Sequence, residues 1–169
     1  MRKIILIPIL LVSICAQQTQ AANTRVTNPD AVGIEFLGRG LLGSVFYDRV
    51  MSEEMSAGFG YGAVATRYNG LDTGVSASLI PVYLNYYFMR EQGSFLLTAG
   101  VTLVTNSNSI AGFDANPSQL TFTSSMLIPN LGLGYENRGD SGFLFRVGGY
   151  AFFASKVTPW LGFSFGYAF

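Results

Sequence analysis

The sequence predicts an all-β fold, a transmembrane antiparallel up-and-down β-barrel of about eight strands. Large apolar residues alternate with small or polar ones along most of the chain, and a period of two is the pattern of a β-strand. Charged residues make up 12% of the sequence, about half of the roughly 25% usual in soluble domains. Beyond the N-terminus, no stretch is long and apolar enough for a membrane helix. Low charge and many aromatic residues without such a helix are typical of membrane barrels.

The N-terminus has the layout of a secretory signal peptide. A short basic start precedes an apolar run from Ile4 to about Ile14, and small and polar residues follow. The run is shorter than the roughly 20 residues that span a bilayer. Cleavage after Ala21 places Ala21 and Thr19, both small, where a signal peptidase reads the chain. We therefore expect a cleaved leader of residues 1–21 and a barrel of residues 22–169.

The predicted leader contains Cys15, the only cysteine of the sequence. Lipidation of this cysteine is an alternative, but Ile14 precedes it where a lipidation signal needs a small side chain. A mature chain that starts at Ala22 has no cysteine, so its fold must close by hydrogen bonds and packing alone. The leader holds two of the ten basic residues and none of the ten acidic ones, which gives the mature chain a net charge of −2. Nothing in this balance favours a nucleic-acid partner.

The alternation also predicts which face of each strand points outward. In the last segment, large residues from Leu161 to Phe169 alternate with glycine, serine and alanine, and the same division recurs upstream. The interior of an eight-stranded barrel is just wide enough for side chains to fill it. It cannot hold four or five large residues from every strand. The small and polar face therefore lines the interior, and the aromatic face contacts lipid.

The connections alternate in length, as short periplasmic turns and longer outer loops do in membrane barrels. Tight charged turns are predicted at Ser52–Met55, Arg90–Gly93 and Arg138–Ser141. Longer loops are predicted at Tyr68–Val75 and Asn106–Gln119.

The strand count depends on one segment. Six strands are predicted from Met51 onward. Val32–Val50 is about twice as long as the roughly 9–11 residues of a membrane strand, so a break at Arg39 and Gly40 gives an even total of eight. The apolar even positions of this segment leave one long strand as the alternative.

No constellation of residues indicates catalysis, a cofactor or a bound metal. Gly38–Gly43 matches the G-x-G-x-x-G pattern, but a strand follows it and no acidic residue stands about 20 positions on, so we interpret it as a glycine-rich hairpin. The sequence has no histidine, which excludes serine-histidine chemistry. Lys156 and the loop oxygens around Asp114 are explained by solvent exposure and turn formation. We expect no enzymatic activity.

Polar side chains on the inward face are candidates for the lining of the lumen. They either plug the barrel, which is our interpretation, or bind a small molecule. The candidates are Tyr83, Asn85, Tyr87, Asn130 and Tyr150.

Two inward-facing charges predict an ion pair. Glu35 and Arg146 each lie three residues into their strands, so their depths should match. A lone buried charge is costly, and about two strand spacings, roughly 10 Å, separate the two residues. We expect Glu35 to pair with Arg146. Glu136 on the adjacent strand is the alternative partner, and we expect it to lie closer to the wet periplasmic rim.

Three segments carry a resemblance to a known family: Leu79–Tyr86, Leu127–Tyr135 and Trp160–Phe169. Through them the chain resembles the small outer-membrane β-barrel proteins of Gram-negative bacteria, particularly poorly characterised ones common in the Bacteroidetes. The resemblance implies that the barrel-assembly machinery recognises the terminal element, with Phe165, Tyr167 and Phe169 as the assembly signal. It implies an outer-membrane location, and it does not indicate a substrate.

Two functions remain open at this point. The first, which we favour, is a structural or surface-interaction role for a barrel with a side-chain-filled lumen, with outer-membrane lipid and the assembly machinery as partners. The second is a narrow channel or carrier for small or apolar solutes.

Overall fold

Eight antiparallel strands form a closed barrel in which each strand pairs with the next and the first pairs with the last. The structure, a computed structural model, describes residues 24–67, 74–105 and 125–169. The strands are β1 (Asp30–Leu37), β2 (Gly43–Ser52), β3 (Met55–Arg67), β4 (Gly74–Tyr87), β5 (Gly93–Thr105), β6 (Met126–Arg138), β7 (Phe143–Phe153) and β8 (Val157–Ala168). A short helix, α1 (Thr24–Thr27), precedes β1, and a 3-10 turn (Gly38–Gly40) lies between β1 and β2.

No helix within the described part of the chain is long and apolar enough to cross a membrane. The predicted leader lies outside the described residues, as does most of both predicted long loops.

The predicted total of eight strands is confirmed, and so is the break within Val32–Val50. β1 ends at Leu37 and β2 begins at Gly43, and the two pair as an antiparallel hairpin. The side-chain parity changes across the break: Phe36 on β1 is half exposed on the outer wall, whereas Phe46 on β2 is buried inside. One continuous strand would have placed both on the same face.

The predicted orientation of the strand faces is also found. On β4, the outward Val82 is 51% exposed and its neighbour Tyr83 only 3%. Small residues on the inner face make room for the large side chains that do point inward. The Tyr83 ring, for example, occupies the space in which a Cβ at Gly58 would lie. Large inward side chains therefore pack against glycine on the neighbouring strand.

The interior has two layers. At the end that carries the turns after β2, β4 and β6, here called the short-turn end, the layer is charged. At the opposite end, here called the loop end, Leu41 from the β1–β2 connection packs into an apolar cluster. The other buried members of this cluster are Ala77, Leu79, Val104, Ile128, Tyr150 and Phe152.

Candidate functional site

The short-turn half of the interior holds five charged side chains, here called the charge cluster. Its members are Arg25, Asp48, Glu136, Arg138 and Arg146. All five are at most 1% exposed. A charge at such a depth is stable only where an opposite charge and hydrogen bonds replace its hydration.

Arg146 on β7 is the centre of the charge cluster. Its Nε donates a hydrogen bond to Glu136 Oε2 at 2.8 Å, and its Nη2 donates one to Asp48 Oδ2 at 3.0 Å. The register of β6 and β7 places Glu136 directly opposite Arg146. Arg138 adds a second cation, with its Nε 3.4 Å from Glu136 Oε1 and its Nη2 3.6 Å from Asp48 Oδ1. Asp48 therefore contacts two guanidinium groups, and Glu136 contacts three, the third being that of Arg25.

Neutral polar side chains donate further hydrogen bonds to one oxygen of each of the two carboxylates. Asn85 donates from Nδ2 to Asp48 Oδ2 at 3.1 Å and to Ser56 Oγ at 2.9 Å. The Tyr87 hydroxyl donates to Glu136 Oε2 at 3.1 Å. Two of the predicted lumen residues, Asn85 and Tyr87, therefore serve the charge cluster.

The segment that precedes β1 covers the short-turn end of the barrel. Arg25 on α1 donates from Nη1 to the carbonyl oxygen of Met89 at 2.9 Å, and its guanidinium lies 4.4 Å from the centre of the Tyr87 ring. Arg138 Nη1 donates to the carbonyl oxygen of Asn28 at 3.1 Å. Burial lowers the pKa of Arg25 from its ordinary value, while the Glu136 carboxylate opposes the shift. Sequence reasoning missed Arg25 because it precedes the first strand and belongs to no alternating pattern.

A second ion pair, between Glu35 and Arg39, lies beside the β1–β2 connection. Arg39 donates from Nε to Glu35 Oε1 at 3.1 Å, and the backbone N–H groups of Arg39 and Gly40 donate to Glu35 Oε2 at 3.1 and 3.3 Å. The Arg39 guanidinium is centred 3.4 Å from the Tyr83 ring and 5.6 Å from the Tyr150 ring. The glycine-rich segment thus turns into the lumen and places the Arg39 guanidinium there.

The predicted pair of Glu35 with Arg146 is not formed, although the predicted depths agree. Both residues stand opposite Ser164 on β8. Glu35 instead forms an ion pair with Arg39, four residues further along the chain. Arg146 forms its ion pair with Glu136, the alternative partner predicted from the sequence. Glu136 is fully buried and not at a wet rim, because Arg25 and Arg138 cover it.

The other predicted lumen residues also point inward. Asn130 donates from Nδ2 to Thr102 Oγ1 at 3.3 Å, and Thr102 in turn donates to the carbonyl oxygen of Arg39 at 3.1 Å. Tyr150 belongs to the apolar cluster. At the loop end, Trp160 Nε1 donates to the carbonyl oxygen of Leu41 at 3.1 Å, which fixes the in-turned connection.

The residues of the predicted assembly signal lie on the outer wall. Phe165 is 41% exposed, Tyr167 57% and Phe169 56%. Phe169 follows the last residue of β8, and its backbone exchanges two hydrogen bonds with Asp30 at the start of β1. This position closes the barrel at the seam between β1 and β8.

No protein-family model matches the chain, and no curated protein matches it. Among solved structures, the chain is similar to the crystal structure of the N-terminal β-barrel domain of Pseudomonas aeruginosa OprF. The TM-score is 0.55 and the sequence identity 15%, over 83% of this chain and 94% of that chain. The two chains share a fold. At this level of identity the likeness does not extend to a role.

The chemistry available in the interior is that of ion pairing. The buried charges of the described residues are four arginines (Arg25, Arg39, Arg138 and Arg146) and three carboxylates (Glu35, Asp48 and Glu136). Each of these carboxylates contacts at least one guanidinium. No group of three or more histidine, cysteine or carboxylate side chains in the described ranges could hold a metal ion.

Proposed function

We propose that the chain is an integral protein of the Gram-negative bacterial outer membrane, with a structural or surface-interaction role and a lumen filled by its own side chains. The observation that carries the proposal is an inverted distribution of polarity. Leu133, Val82 and Phe165 stand 64, 51 and 41% exposed on the outer wall, while Glu136 and Arg146 are buried inside. An outer wall of this composition is suited to hydrocarbon, because soluble domains rarely expose large contiguous apolar surfaces.

The filling of the lumen is supported by contacts at both ends. Arg25 covers the short-turn end, and Leu41 packs into the apolar cluster at the loop end. Between them, a solute would have to separate Arg146 from Glu136 and Asp48, and breaking a buried pair is strongly unfavourable. A barrel held shut in this way is suited to present loops or to occupy the membrane, rather than to conduct.

The cellular partners follow from the same proposal. Outer-membrane lipid surrounds the wall, and the barrel-assembly machinery recognises the terminal aromatic residues, of which Phe169 is the last. We also propose that the barrel is of a type common in the Bacteroidetes, because of the resemblance carried by Leu79–Tyr86, Leu127–Tyr135 and Trp160–Phe169. We propose neither a catalytic role nor a nucleic-acid partner.

The runner-up is a narrow channel or carrier for small or apolar solutes. One observation favours it: the loop end of the lumen is apolar, with Leu41, Leu79 and Ile128 among its buried residues. An apolar solute that entered there would meet compatible side chains. It would pass further only if the β1–β2 connection and the ion pair it carries moved aside.

Conductance of the purified protein in planar bilayers tests the proposal. We expect no steady openings under conditions in which an open porin conducts. Steady openings of the wild-type protein would overturn the filled lumen and support the channel. Fractionation of bacterial membranes tests the location separately: the proposal requires the protein in the outer-membrane fraction, and recovery as a soluble protein would refute it.

A further inference from the structure

A groove of about 470 Å³ crosses the outer wall from β2 to β5. Two outward alanines, Ala57 and Ala99, lie in it beside neighbouring rows of large outward side chains. The strand registers place Arg49, Ala57, Leu84 and Ala99 in one cross-strand row.

Large residues stand on both sides of this row. On the short-turn side the neighbouring row is Met55, Tyr86 and Leu97, and on the other side it is Tyr47, Phe59, Val82 and Val101. The two alanines form low parts of the groove floor on either side of Leu84, which lies between them in the row and also lines the groove. An apolar wall lies on the side away from the short turns, built of Tyr47, Phe59, Val82 and Val101. The volume of the groove lies within the range of roughly 300–1,000 Å³ that small-molecule sites occupy.

The groove descends from the rim of the barrel into its apolar band. Arg49, at one end of the row, lies three residues before Ser52, where β2 ends. Ala99, at the other end, lies six residues after Gly93, where β5 begins. At about 3.4 Å per residue, the row thus starts roughly 10 Å from the short-turn end of its strand and finishes roughly 20 Å from it.

Arg49 places a cation at the shallow end of the groove. Its side chain is 62% exposed and points outward, and its Nη1 lies 3.3 Å from Asp30 Oδ1. A guanidinium has five N–H donors in a planar fork that matches a phosphate, so the contacts with Asp30 and Tyr47 leave other donors for a second anion. The long aliphatic stem lets the charged group reach the polar interface while the stem stays on the apolar wall.

We propose that this groove binds an anionic phospholipid, with the phosphate on Arg49 and one acyl chain along Ala57 and Ala99. The inference rests on the proposed outer-membrane location and adds a defined lipid site to it. The cation at the shallow end, the apolar wall and the inward course of the groove together match the order of headgroup and chain in a lipid of the leaflet at the short-turn end.

Native mass spectrometry of the folded protein with phosphatidylglycerol tests the site. Arg49→Gln removes the cation, and Ala99→Phe fills the groove. Ala57→Leu fills it with a smaller side chain and replaces Ala99→Phe if that variant does not fold. The matched controls are Arg90→Gln, an exposed arginine of a turn, and Ala151→Phe, an outward alanine of β7 outside the groove. The heat-dependent shift in gel mobility establishes that each variant is folded.

We expect wild type and both controls to retain one phosphatidylglycerol. Arg49→Gln should weaken its retention about tenfold or more, the effect of losing a charged hydrogen bond. The groove-filling variants should weaken it too, and diacylglycerol with the same chains should bind wild type as weakly as phosphatidylglycerol binds Arg49→Gln.

Equal retention by all variants would overturn the inference and leave the outer-membrane location intact. A lipid-independent dimer of wild type that Ala99→Phe abolishes would also overturn it, by assigning the groove to a second copy of the chain. Recovery of wild type as a soluble protein would instead refute the proposed function on which the site rests.

Discussion

Arg146 bridges carboxylates on two strands that are not neighbours, Asp48 on β2 and Glu136 on β6. No local pattern in the sequence specifies such a bridge, because the two partners are 98 and 10 residues away along the chain. The sequence does predict that Arg146 faces inward and at what depth, since both follow from the period of two. Its choice of partner depends on Arg39 and Arg25, which come from segments without that period.

We expect Arg146→Met to lower the free energy of unfolding by about 3–5 kcal/mol, because it leaves Glu136 and Asp48 buried with one cation fewer. Urea titration of the protein refolded into lipid vesicles measures this loss. Arg90→Gln, which removes an exposed arginine, should cost clearly less, because exposed ion pairs contribute little to stability.

A double-mutant cycle separates the observed pair from the one predicted by sequence. Glu136→Gln and Arg146→Met should couple by about 0.5–3 kcal/mol, because they are in direct contact. Glu35→Gln and Arg146→Met should add to within about 0.5 kcal/mol. Strong coupling in the second cycle and additivity in the first would show that Arg146 bonds Glu35 instead.

Among the elements of the fold, the strands were predictable and the connection between β1 and β2 was not. A strand repeats its pattern every two residues, so the six strands after Met51 can be assigned from local sequence. The connection turns into the lumen, where Leu41 packs in the apolar cluster, and its backbone has φ 58° at Leu37 and φ 62° at Leu41. Such backbone angles cost a non-glycine residue about 1–3 kcal/mol and persist only where packing compensates them. Here the packing of Leu41 in the apolar cluster supplies that compensation.

The two adjacent leucines of this connection provide a matched comparison. Leu41 is 4% exposed and Leu42 39%. Leu41→Ala should lower the free energy of unfolding by about 2–5 kcal/mol, as truncation of a buried leucine does, whereas Leu42→Ala should cost clearly less. Equal small losses in the urea titration would mean that the connection does not pack in the lumen.

The β1–β2 connection also depends on glycine at one position. Gly38 has φ +62°, and a Cβ there would collide with the Glu35 carboxyl group. Gly38→Ala should therefore lower the free energy of unfolding by more than about 1 kcal/mol through strain and displacement of Glu35. Gly139→Ala, in a turn where a Cβ meets ordinary contacts, is the control. A smaller loss at Gly38 than at Gly139 would contradict the geometry of the in-turned connection.

In the molecule as a whole, the usual distribution of polarity is inverted, with apolar side chains exposed and charged side chains buried. Its outer wall carries the large apolar side chains, and its interior carries four arginines and three carboxylates among the described residues. The low charge content and the alternation predict the apolar character of the outer wall, because both can be read directly from the amino-acid sequence. The inward contacts of Arg25 and Leu41 at the two ends form only when the barrel closes and brings distant segments together.

The outer wall is expected to lie in hydrocarbon, and spin-label accessibility measures this directly. The sequence's only cysteine, Cys15, precedes the described residues, so single cysteines can be introduced into residues 22–169 without interference. Labels at Val82, Leu133 and Leu161 should collide more with oxygen than with a water-soluble nickel chelate, and labels at the turn residues Glu53 and Asp140 should show the reverse. A wall whose labels prefer the nickel chelate would face water, and this expectation would be wrong.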